Sequence, residues 1–114
     1  MREFVCAVAA VCALAMAAPV VSAEAANGKA LFEKKGCTQC HEIGKDLKAP
    51  DLKDVTARRS REWIISFIQH PEQHYDDPEI KAYIERYKIK MPPTNLKEPE
   101  AETIYEYLKS LHKP

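Results

Sequence analysis

The chain has 114 residues, with 17 lysines and arginines against 17 aspartates and glutamates, and 4 cysteines. That length supports one domain with a modest core. The balanced charge gives no footprint for nucleic acid.

The first element is a leader. Arg2 precedes an apolar stretch from Phe4 to Ala18, and Ala23 and Ala25 flank Glu24 in an A-x-A pattern. This is the grammar of a secretory signal peptide, cleaved after Ala25 or after Ala23. The alternative, an uncleaved membrane anchor, is disfavoured because the run is short and Pro19 interrupts it. We assign residues 1–25 to a cleaved signal and 26–114 to the domain. Cys6 and Cys12 fall in the leader. Val5 and Val11 precede them, where lipid attachment would want a small residue. Only Cys37 and Cys40 then remain, and no transmembrane span is expected after cleavage.

In the mature chain, Asn27 is expected to cap a helix through GKALFEKKG, which Gly36 stops. CTQCH follows at once. Glu42 to Val55 is poor in apolar residues and holds Gly44 and Pro50, which predicts a loop. Ser60 should cap a helix over REWIISFIQH, with Trp63, Ile64, Phe67 and Ile68 on one face and Pro71 ending it. Asp77 and Pro78 read as an N-cap followed by proline at the first helical position. Ile80, Tyr83, Ile84 and Tyr87 give that helix its stripe. KIKMPPTNLKEP is a loop, because paired prolines cannot sit inside a helix. A last helix starts near Pro99, with Ile104, Tyr107, Leu108 and Leu111 at helical spacing. No strand-like alternation occurs, so the expected fold class is all-α, with about four helices.

CTQCH, Cys37 to His41, carries the chemistry. A redox dithiol sits where a strand meets a helix, and this chain shows no strand. A zinc site needs four ligands, and His70, His74 and His112 offer no matching second pair. Cys-x-x-Cys-His is the attachment pattern of c-type haem, a cofactor attached outside the cytoplasm, which agrees with the signal peptide. On a helical turn, residues three and four apart share a face. Cys37 therefore lies beside Cys40 and His41, so two thiols can take the two haem vinyl groups while an imidazole points at the iron.

From Gly28 to Leu111 the chain resembles the small bacterial class I cytochromes c. The matching features are G-x-x-L-F before the motif, CTQCH, an APDL segment, a middle helix with EW, a KMPP loop and a final helix ending YLKSL. The resemblance implies a cytochrome c fold around one haem c, covalent through Cys37 and Cys40. His41 would be one axial ligand and Met91 the other, with His74 as reserve. It implies that the Pro50 carbonyl orients His41 and that Leu52 lines the haem pocket. Ala49 stands where the family usually has glycine. The resemblance also implies that Trp63, assisted by Arg58 or Arg59, reaches a haem propionate, and that Gly28 and Phe32 meet Ile104 and Tyr107 where the first and last helices cross. Tyr75, Tyr83 and Tyr87 are expected at the haem pocket or its rim.

A Met/His pair leaves no open coordination position and raises the reduction potential relative to two histidines. The expected function is one-electron transfer in the periplasm of a Gram-negative bacterium by a monomer, not an enzyme, working with redox protein partners. Lys45, Lys48, Lys88 and Lys90 can form a positive rim that steers an acidic partner. Two other readings stay open here: a haem-based sensor in which Met91 leaves the iron, and a fixed relay subunit of a larger oxidoreductase.

Overall fold

The computed structural model describes residues 22–112; the leader reading of residues 1–21, with Cys6 and Cys12, lies outside the described residues. Five α-helices are present among them: α1 (Ala23–Lys34), α2 (Val55–Arg58), α3 (Arg61–Gln69), α4 (Pro78–Tyr87) and α5 (Glu98–Leu111). Two 3-10 turns, Cys37–Gln39 and Pro71–His74, interrupt the connections. The only β-bridge among the described residues is an isolated pair, Glu42 with Lys45.

α1 starts earlier than its sequence suggests. Ser22, not Asn27, is the N-cap, its side chain accepting from the Ala25 amide at 3.1 Å. Ala23, Glu24, Ala25 and Ala26 are strong helix formers that extend the helix N-terminally. A boundary drawn at the end of a leader hides them. Asn27 lies within the helix, exposed. The end matches expectation: Gly36 takes the left-handed conformation, φ 78°, that stops a helix with no Cβ penalty.

α1 crosses α5 at Gly28. A Cβ there would run into the Thr103 carbonyl oxygen and come within 2.7 Å of Tyr107 Cβ, so glycine is what lets the backbones approach. One turn on, Phe32 packs on Tyr107 with ring centroids 5.6 Å apart. Ile104 is 2% exposed in the same core.

α3 forms as predicted. The Ser60 hydroxyl accepts from the Trp63 amide at 3.2 Å, and Pro71 lies just beyond its end. Its faces divide the work differently, however. Ile64, Ile65 and Ile68 are buried in the core with Leu96, Ala101 and Leu108. Trp63 and Phe67 are only half-buried. α4 is capped by Asp77, whose carboxylate accepts from the Glu79 and Ile80 amides. α2, a single turn, was not anticipated, because VTAR carries no apolar period long enough to declare a helix.

Candidate functional site

The glycine that stops α1 also starts the site. From Gly36 the chain enters the 3-10 turn at Cys37. The amides of Cys40 and His41 both donate to the Cys37 carbonyl, at 3.3 and 3.0 Å. The two thiols and the imidazole are thus carried by one turn. Both cysteines are free and half-buried. Burial pushes the Cys37 thiol up, against a backbone hydrogen bond that lowers it. A reactive redox dithiol needs the opposite, a thiol held low.

His41 is oriented by the next loop. Its Nδ1 lies 2.9 Å from the Pro50 carbonyl oxygen. A carbonyl can only accept, so Nδ1 carries the proton and Nε2 keeps its lone pair. Burial lowers the His41 pKa, partly offset by that same bond, and favours the neutral, ligating imidazole. The loop that presents Pro50 is laced to the motif. The Ala49 amide donates to the Cys40 carbonyl at 3.0 Å. Asp51 Oδ1 accepts from the amides of Gly44, at 2.7 Å, and Lys53, at 3.0 Å. Asp46 Oδ1 accepts from the Asp51 amide at 3.0 Å. Sequence reasoning missed Asp46 and Asp51. The signal was there in a loop dense in Asp, Gly and Pro, where short carboxylates bond nearby amides.

A cavity of about 350 Å³ opens beside the motif, a size suited to a small-molecule or cofactor site. Its lining includes Cys37, Cys40, His41, Pro50, Leu52, Trp63 and Met91, so these expected residues meet at one space. α4 adds Ile80, Tyr83, Ile84 and Tyr87. Tyr75 instead donates its hydroxyl to the Met91 carbonyl at 2.6 Å.

The spare histidines are engaged elsewhere. His74 Nε2 pairs with Ser66 Oγ at 2.8 Å and its ring lies 5.2 Å from that of Trp63. His70 sits 3.4 Å from Glu72, and His112 Nδ1 3.3 Å from Asp54. None of the three lines the cavity. Among the described residues, no group of three or more His, Cys, Asp and Glu is arranged to hold a metal ion.

One rim of the cavity is an ion-pair network. The Arg59 guanidinium lies 4.0 Å over the Trp63 ring, which stacks on Phe67 at 5.1 Å. Arg59 also donates to Asp77 at 2.9 Å and to Glu79 at 2.6 Å. Arg58 donates to the Tyr83 hydroxyl at 2.9 Å, and that hydroxyl donates to Glu79 at 2.8 Å. The Arg59 hydrogen bond, against burial, holds the Asp77 carboxyl below its usual range. Burial pushes Glu79 up, but bonds from Tyr83 and Arg59 outweigh it, so its net shift is also down.

Two free thiols and a properly tautomerised imidazole on one turn, beside a largely apolar cavity that also holds a thioether, fit a covalently attached haem. Comparison with known proteins agrees. The Cytochrome c family model matches residues 25–112. Cytochrome c-551 of Azotobacter vinelandii is 34% identical over 84 residues, covering 72% of this chain and 94% of its own. Cytochrome c-551 of Stutzerimonas stutzeri is 30% identical over 104 residues, covering 87% and 90%. The solved structure of cytochrome c from Rhodothermus marinus superposes with a TM-score of 0.74 at 32% identity, covering 78% and 77%. The chain belongs to the cytochrome c family, as a small class I c-type cytochrome with one covalently bound haem c and the role of a monohaem electron carrier. It works with redox partners, and no helix among the described residues is long and apolar enough to cross a membrane.

Proposed function

We propose that this chain is a periplasmic one-electron carrier, not an enzyme, whose iron is held between His41 and Met91. Cys37 and Cys40 form the two thioethers. Bound haem supplies a single redox centre cycling between ferric and ferrous states. His41 and Met91 would hold the iron, and the mostly apolar lining would surround the group. The observation that carries the reading is that Met91 shares the cavity with the motif while His70, His74 and His112 do not. Pro50 orients His41 and Leu52 packs in the pocket. Trp63 serves a haem propionate, with Arg59 over its ring and Arg58 beside it.

Export through a cleaved leader supports the periplasmic assignment. Of the two junctions, cleavage after Ala23 keeps Ala25, which is 2% exposed on α1, and is the one we favour; it removes Ser22, so the mature helix would start without that cap. The mature protein acts as a monomer. Its docking rim in this reading is formed by Lys45, Lys48, Lys88 and Lys90, and Arg86 on α4 reaches Asp46, between the first two, at 3.5 Å. An acidic redox partner is the complement, and its electron-transfer rate should fall as salt screens that rim.

The test of the ligand pair is spectroscopic. Met91→Ala holoprotein should lose the weak far-red band that thioether ligation gives ferric haem, admit carbon monoxide, and shift to lower potential. His74→Ala should leave all three unchanged. The reverse pattern would make the iron bis-histidine and overturn the assignment.

A further inference from the structure

Met91 sits in the irregular segment between α4 and α5. Downstream, that segment is well anchored. Thr94 Oγ1 donates to the Ile68 carbonyl at 2.5 Å, Gln69 Nε2 donates to the Leu96 carbonyl at 3.3 Å, and the Leu96 side chain is 5% exposed in the core. Pro92 and Pro93 have no amide proton to offer. On the upstream side the tie is Tyr75, whose hydroxyl donates to the carbonyl of Met91 itself at 2.6 Å. The Lys90 amine lies 5.2 Å over the same ring.

Tyr75 has a firm base. It follows the 3-10 turn at Pro71–His74, and Pro71 is among the most deeply buried side chains. The Gln73 amide donates to the His70 carbonyl, and the Asp77 amide to the His74 carbonyl, each at 3.0 Å. A half-buried phenol on that base grips the peptide group from which the thioether departs.

We propose that Tyr75 is a positioning residue for Met91: its hydroxyl fixes the Met91 carbonyl, aims the sulfur, and sets how rarely the thioether leaves the iron. This rests on Met91 being the sixth ligand. Carbon monoxide binds only iron whose thioether has left, so its apparent affinity for ferrous holoprotein scales with that open fraction. Tyr75→Phe removes one hydroxyl and nothing else. It should raise the apparent affinity roughly five- to tenfold, the factor that corresponds to a hydrogen bond of about 1–1.4 kcal/mol.

Four holoproteins decide the matter: wild type, Tyr75→Phe, Met91→Ala and the double variant. In the Met91→Ala background there is no sulfur to aim, so Tyr75→Phe should have no further effect. The proposal is overturned if Tyr75→Phe matches wild type while Met91→Ala opens the iron. It is equally overturned if the Tyr75→Phe effect persists undiminished in the double variant, which would make it a change in access. If Met91→Ala leaves the iron closed to carbon monoxide, the ligand reading itself falls, and this inference with it.

Discussion

A methyl group at Gly28 would collide with the Thr103 carbonyl oxygen and press to within 2.7 Å of Tyr107 Cβ. Both are tightly held, one a backbone atom and one the first side-chain carbon of its residue, so the helices themselves must separate. Gly28→Ala should therefore destabilise the holoprotein by about 1–3 kcal/mol, the usual cost of overpacking, despite alanine's better helix propensity. A urea midpoint unchanged or raised by the substitution would contradict the tight crossing. The motif residues were legible because their chemistry is local, a pair of thiols with a histidine at fixed spacing, and Gly28 was legible through the family resemblance. Tyr75, by contrast, lies 16 positions before the carbonyl it serves. No periodicity marks a hydroxyl whose partner is chosen by the fold. Ser22 falls inside the stretch that reads from sequence as a leader, so no helix start is expected there.

Between elements, the main polar tie at the cavity rim runs from Arg59, just before α3, to Asp77 and Glu79 at the start of α4. Both carboxyls are held below their usual range. A carboxylate with a depressed folded pKa adds stability that is fully present above its unfolded value, near 3.9 for aspartate, and is lost as pH falls through the folded value. Acid should thus loosen α4 from α3. Asp77→Asn keeps a good N-cap and removes the charge. It should be less stable than wild type at neutral pH, and the gap should close as pH drops below the aspartate range. Urea midpoints across that range would show it; a gap that stays constant with pH would mean the charge is not what docks α4. The helices α3, α4 and α5 were readable from apolar period and caps. Their docking was not, because Arg58 and Arg59, expected at a haem propionate, and Tyr83, expected at the pocket rim, carry no local sign of pairing with one another or with Glu79, partners that lie 20 and 25 positions apart. α2 is too short for any period to announce it.

At the scale of the whole molecule, the cavity draws lining from α1, α2, α3, α4, α5, the motif turn and the Met91 segment alike. The protein is built around that space, with the helices packed on one another chiefly along α1, α3 and α5. Without an occupant, that space would leave its largely apolar lining facing water, an unfavourable exposure for so small a domain. A chain this short cannot carry that cost, so haem attachment and folding should be one event. The paired substitution Cys37→Ser with Cys40→Ser leaves the backbone turn and His41 intact and removes only the tethers. Exported protein of this kind should lack the haem mass increment, accumulate poorly, and show little cooperative thermal unfolding by circular dichroism, where the wild-type holoprotein melts in one transition. The same mass measurement on wild type reads the leader junction directly. Purified double-serine protein that melts cooperatively within a few degrees of the holoprotein would show that the helices stand without their centre, and that the cavity is an accessory to the fold instead of its organising core.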